Sequence, residues 1–178
     1  MTGYFAAPEQ VEVAAAAIRS LRQSGGAELV LVDPVIGDDG ALYVPEDVAR
    51  AIRDHLLPLA KIATPNAFEL SWLTGLPVDS AHAAVAAAQA LGPAEVIVTS
   101  VDGVKDEIAT ILVHDGSVVR HETSRLSHVP HGTGDYLAGC YLASRLQSAP
   151  EDAFAEALHR LERAIARSAS SEVLDVTG

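Results

Sequence analysis

Between Leu29 and Val32 the chain reads L-V-L-V, an unbroken apolar run closed at once by Asp33-Pro34. A segment so short and so uniformly apolar fits a strand buried on both faces, and such strands occur where helices cover the sheet. The residues before it supply a helix. From Pro8 onward Val11, Ala14, Ile18 and Leu21 share one face, Glu12, Arg19 and Arg22 lie elsewhere, and Ser24-Gly25-Gly26 ends the pattern. Helix followed by buried strand is the signature of an α/β chain.

The alternation continues. Gly37 to Gly40 (G-D-D-G) reads as a turn or loop, Val48, Ile52, Leu56 and Leu59 mark a second helix, and Lys61 to Thr64 is a short strand closed by Thr64-Pro65-Asn66. Phe68 to Leu73 reads as a short helix ending near Gly75, and alanine-rich Ser80 to Leu91 as another. Glu95 to Thr99 (E-V-I-V-T) repeats the buried-strand pattern. Ile108 to Val113 and Ser117 to Glu122 flank His114-Asp115-Gly116, where Asp-Gly signals a hairpin. Phe154, Leu158, Leu161 and Ile165 give a last amphipathic helix, and Ser168 to Gly178 has no clear periodicity beyond the pair Val173-Leu174. These elements predict a doubly wound, mostly parallel sheet flanked by helices, mixed at its hairpin edge, within one domain spanning 1–178.

Composition narrows the function. A net charge of -12 argues against a nucleic-acid groove or an anionic membrane surface. No secretory or membrane-spanning segment is recognisable, which makes a cytoplasmic protein the expectation. The single cysteine, Cys140, rules out an intrachain disulfide and reads as a core residue.

Two features carry chemistry. Val129 to Gly139 (V-P-H-G-T-G-D-Y-L-A-G) is a glycine loop opening a helix, where bare backbone N–H groups and the helix dipole suit a phosphate. Asp135, in the first turn, could accept a proton from a hydroxyl attacking a terminal phosphate, with the amides of Gly132, Thr133 and Gly134 stabilising the transferred group. His131 beside the loop is read as structural or solvent-exposed. The second feature is the set of polar strand ends: Asp33, Thr64 with Asn66, and Thr99-Ser100. Ligands in open α/β sheets bind outside the carboxyl ends of the strands. Asp33, Asn66 and Glu69 could serve a magnesium ion, which needs only a carboxylate or two beside phosphate oxygens and water. No Walker loop, GxGxxG or HExxH pattern is present.

Gly3-Tyr4, Asp33-Pro34-Val35 with Gly37-Asp38, Leu42-Tyr43-Val44-Pro45, Thr64-Pro65-Asn66 with Phe68-Glu69, Leu73-Thr74-Gly75, Thr99-Ser100 and Gly132-Thr133-Gly134-Asp135 follow one another along nearly the whole chain. In this the sequence resembles the pyridoxal kinases of the ribokinase-like superfamily. The resemblance implies ATP-dependent phosphorylation of the 5'-hydroxymethyl group of pyridoxal, and of pyridoxine and pyridoxamine, to pyridoxal 5'-phosphate and its analogues. It implies Asp135 as catalytic base, Gly132, Thr133 and Gly134 as the anion hole, and Asp33 and Glu69 as the magnesium and phosphate-side acids. Asn66 would stand near the phosphates, Asp38 and Tyr43 in the nucleotide cleft, and Thr64, Thr99, Ser100 and Thr133 on the ATP side. Mg2+ would accompany ATP, with K+ as a candidate monovalent cation, in a homodimer.

Hydroxymethylpyrimidine kinases share the D-P-V and T-P-N elements, but their glycine loop usually ends in Cys where this one ends in Asp135. That choice and Leu42-Tyr43-Val44-Pro45 also disfavour a ribokinase-like sugar kinase. Family members run considerably longer at the N-terminus. The expectation is therefore a chain lacking the first strands of the sheet, the lid and most pyridoxal contacts, and weakly active or inactive alone. Either it is a kinase completed by further sequence or another chain, or it is a remnant that binds nucleotide without transferring phosphate.

Overall fold

The computed structural model describes residues 1–26, 29–103, 105–126, 128–168 and 171–177. They fall into two compact units, Met1–Thr123 and Ser124–Gly178. The first unit contains helix α1 (Pro8–Gln23), strand β1 (Leu31–Val32), the pair β2 (Gly37–Asp38) and β3 (Ala41–Leu42), and helix α2 (Glu46–Ala51). Strand β4 (Ile62–Ala63), helices α3 (Ala67–Thr74) and α4 (Ala81–Leu91), and strands β5 (Glu95–Asp102), β6 (Glu107–His114) and β7 (Ser117–Ser124) follow. Its sheet runs β1-β4-β5-β6-β7. The β1–β4 and β4–β5 pairs are parallel, as the buried runs predict, and β5–β6 is antiparallel, which makes the sheet mixed at that edge. Asp115 and Gly116 both adopt positive φ, the geometry of a two-residue hairpin turn.

Registration of Val32 with Ala63, and of Ala63 with Val96, lays these residues along one face of the sheet. Leu31, Ile62 and Ile97 belong to the opposite face and are equally buried, so the strands are apolar on both sides. Beneath the first face, Val11, Ala15 and Ile18 of α1 pack with Val48 and Ile52, while Ala84, Ala87 and Ala88 of α4 pack with Val96, Val98 and Ile111.

Some local expectations shift. Leu21 is 53% exposed; the buried stripe of α1 is Val11, Ala15 and Ile18. The second helix keeps its regular form only to Ala51, widens to a π-helical turn over Ile52–Leu56 and tightens over Leu57–Leu59. Pro58 explains this, because its ring collides with the carbonyl four residues earlier and removes a donor. The G-D-D-G loop is the turn of a small β-hairpin: Asp39 and Gly40 at φ 49 and 81 connect β2 to β3. Thr99-Ser100 does not end its strand, since β5 continues to Asp102 through a bulge between Val98 and Val101 that throws Ser100 to φ 58.

The second unit packs helix α5 (Thr133–Arg145) against helix α6 (Pro150–Arg167), with Leu137, Tyr141, Phe154 and Leu158 buried. Cys140 is buried there, as expected. Of the Ser168 to Gly178 stretch, 169, 170 and 178 lie outside the described residues. Among the described residues no helix is long and apolar enough to cross a membrane.

Candidate active site

In the first unit the carboxyl ends of β1 and β4 and the bulge of β5 at Thr99 form one rim. Asp33 leaves β1 buried, and its Oδ1 accepts the hydroxyl of Thr64, the residue leaving β4, at 3.0 Å. Thr99 N–H donates to the Pro65 carbonyl at 3.1 Å, and Asn66 bridges Thr99 in parallel register. Three expected site positions, Asp33, Thr64 and Thr99, are thus tied into one edge by the parallel pairing. Ser100 follows Thr99 exposed, in the left-handed conformation imposed by the bulge.

Asn66 caps α3. Its Oδ1 accepts the Glu69 N–H at 2.8 Å while Glu69 Oε2 accepts the Asn66 N–H at 2.9 Å, a reciprocal capping box. Each side chain also reaches the Ile36–Gly37 segment. Glu69 Oε1 accepts Ile36 N–H at 2.7 Å and Gly37 N–H at 3.4 Å, and Asn66 Nδ2 donates to the Gly37 carbonyl at 2.8 Å. Burial pushes the Glu69 carboxyl above its ordinary range, and the amides of Asn66, Ile36 and Gly37 pull the other way. Asp38 and Tyr43 stand exposed on the hairpin this contact anchors, with Asp38 Oδ1 accepting the Asp39 N–H.

The fit of this rim to a divalent cation follows from its donors. No group of three or more His, Cys, Asp or Glu side chains able to hold a metal by itself occurs among the described residues. Magnesium arriving with a nucleotide needs one or two carboxylates, the rest of its shell being phosphate oxygens and water. Asp33 meets that requirement. Glu69 meets it less well, because three of its roughly four lone-pair directions already hold backbone donors.

The second unit carries the glycine loop. Gly132, at φ 91, is the N-cap of α5 and, as a glycine, brings no capping side chain to the first-turn amides. Thr133 turns its hydroxyl back onto the Pro130 carbonyl, and Asp135 lies exposed in the first turn. One support escapes sequence reasoning. The segment Glu172–Leu174 pairs with His131, whose N–H donates to the Glu172 carbonyl at 2.8 Å and whose carbonyl accepts the Leu174 N–H at 3.1 Å. Buried Ser168 fixes that segment by donating to Ala164 O and accepting the Asp175 N–H. The apolar pair Val173-Leu174 was its only trace in the sequence.

Comparison with known proteins extends the picture. The family model described as Phosphomethylpyrimidine kinase matches residues 2–175. The chain is 38% identical over 157 residues to a pyridoxine/pyridoxal/pyridoxamine kinase of Bordetella pertussis, covering 83% of this chain and 55% of that one. It therefore spans about half the length of this curated relative. The pyridoxal kinase of Entamoeba histolytica superposes with a TM-score of 0.89 at 25% identity, over 98% of this chain and 64% of the other. That of Leishmania donovani, solved with ADP and pyridoxine, gives 0.86 at 28% identity, over 99% and 64%. With a family model matched almost from end to end, the chain belongs to the phosphomethylpyrimidine kinase family; it is similar in sequence to pyridoxal kinases and shares their ribokinase-like fold.

Proposed function

We propose that this chain carries the nucleotide-binding and phosphate-transferring part of a kinase that phosphorylates the 5'-hydroxymethyl group of pyridoxal and related B6 vitamers. The observation that carries the reading is the structural match, over 99% of the chain, to a pyridoxal kinase solved with ADP and pyridoxine. In it the Asp135 carboxylate is the base that receives the hydroxyl proton. The hydroxyl oxygen bonds to the γ-phosphorus, the bond from phosphorus to the β,γ-bridging oxygen breaks, and ADP leaves with that electron pair. A carboxylate is a weak base, yet the transition state is loose, so orienting the hydroxyl and taking its proton late suffices. The amides of Gly132, Thr133 and Gly134 would stabilise the charge on the transferred group.

In this reading Asp33 would hold Mg2+, whose charge would offset that of the phosphates. Thr64, Asn66, Thr99, Ser100, Asp38 and Tyr43 serve the nucleotide side, and Thr133 serves it from the glycine loop. The expected homodimer, K+ requirement and cytoplasmic location belong to the same proposal; light scattering and a K+ titration address the first two.

A second reading, phosphorylation of a hydroxymethylpyrimidine, is favoured by the description of the matching family model. Asp135 in the loop position usually held by Cys speaks for the vitamin. Calorimetric titration of the chain with ADP and Mg2+, followed by parallel transfer assays on pyridoxal and hydroxymethylpyrimidine, separates the readings. Absence of ADP binding would overturn both.

A further inference from the structure

We propose that Glu69 is a positioning residue, which fixes the Val35–Gly37 turn at the rim of the sheet instead of ligating the metal directly. The proposal concerns the mechanics of the turn, and its functional half rests on the nucleotide-binding reading above.

The turn is strained and closely packed. Val35 sits at φ 47, a conformation that β-branched residues strongly avoid. This twist is accompanied by two successive amides, Ile36 and Gly37, directed at one carboxylate oxygen. Consecutive N–H groups arranged so form a concavity for an anion, and Glu69 is the anion that fills it. Gly37 has no room for a side chain: a Cβ there would lie 2.4 Å from the Ala41 carbonyl oxygen and 2.5 Å from Phe68 Cε1. Phe68 and Glu69 thus press on and hold the same segment from the first turn of α3.

The restraint passes onward. The Ile36 carbonyl accepts the Tyr43 N–H at 3.1 Å, so the residue whose amide Glu69 grips is bonded to the return arm of the hairpin. Asn66 Nδ2 holds the Gly37 carbonyl, immediately before Asp38. Buried Glu69 thereby places Asp38 and Tyr43 through backbone alone, and needs no contact with a ligand to govern where they stand.

Hydrogen exchange of the nucleotide-free protein, resolved at single amides, tests the mechanical claim in wild type, Glu69→Ala and Glu69→Gln. Loss of the carboxylate in Glu69→Ala should accelerate exchange at Ile36 and Gly37 by about tenfold or more, with the amides of β5 and β6 unaffected. Glu69→Gln keeps one carbonyl acceptor and should fall between the two. Unchanged exchange at Ile36 and Gly37 in Glu69→Ala would overturn the proposal.

ADP affinity in Mg2+ and in EDTA tests how the residue acts. A positioning residue weakens both by the same factor in Glu69→Gln, whereas a loss confined to Mg2+ would make Glu69 a metal ligand and overturn the proposal. Wild-type protein that bound no ADP would instead sink the kinase reading and the functional half with it, and the exchange data would still decide whether Glu69 holds the turn.

Discussion

The Thr64 hydroxyl donates a hydrogen bond to the buried carboxylate of Asp33 at 3.0 Å, joining the ends of two parallel strands through their side chains. The bond fixes a buried acid at the carboxyl rim of the parallel strands, the side on which open α/β sheets bind their ligands. Replacing Thr64 by Val keeps the shape and removes the donor. Stability should fall by about 1–3 kcal/mol, the usual result of leaving a buried acceptor short of a partner. Urea unfolding measures this, and an unchanged midpoint would show that the bond contributes nothing.

Gly37 predicts a different failure. Its missing Cβ would overlap the Ala41 carbonyl and the Phe68 ring, both within 2.5 Å. Gly37→Ala must push the hairpin away from α3, at a cost of about 1–3 kcal/mol for overpacking. Weaker binding of ADP should accompany the lower melting temperature if Asp38 and Tyr43 touch nucleotide. Gly40→Ala, with no neighbour near its Cβ, serves as a control that strains the turn by its φ of 81 alone.

Burial raises the Glu69 carboxyl above its ordinary 4.5. The folded chain therefore holds that proton more tightly than the unfolded chain does. Its contribution to stability is full below 4.5 and is lost as pH rises through the raised native value. The unfolding free energy of wild type relative to Glu69→Gln should fall across that window and level off above it. Denaturant titrations of both proteins over a pH series provide the difference, and a difference constant from acid to neutral pH would contradict the assignment.

Ser168 offers a test of the glycine loop from a distance. Its hydroxyl links Ala164 O to Asp175 N–H, and the segment it secures brackets His131 on both sides. Ser168→Ala should cost about 1 kcal/mol for the lost hydrogen bonds and expose the His131 and Leu174 amides to exchange. Protection unchanged at both would mean that Leu174, buried in its own right, anchors the segment unaided.

How much of this was legible in the sequence depends on whether side chains or backbone carry the information. Leu29 to Val32 and Glu95 to Thr99 announced their strands because burial on two faces makes the run between their ends continuously apolar. The glycine-loop start of α5 was readable from its residues, whereas Asn66 and Glu69, read for phosphate and metal, are first of all a capping box. By contrast, the tie from Glu69 to Ile36 crosses 33 residues and ends on a backbone amide, which any residue but proline would offer. The bulge at Ser100 and the pairing of His131 with Glu172–Leu174 were hidden for the same reason. Leu21 misled because apolar spacing fixes a helix face but not how far the neighbouring core reaches along it.

Asp135, proposed to receive the proton as phosphate moves to the vitamin, is open to a direct kinetic test. Single-turnover transfer from MgATP to pyridoxal, with protein in excess so that even slow product is seen, compares wild type with Asp135→Asn. Wild type should form pyridoxal 5'-phosphate and the variant about 100- to 10,000-fold more slowly, the usual range for losing a general base, with ADP affinity unchanged. Product formed equally fast by both, or by neither, would contradict the account.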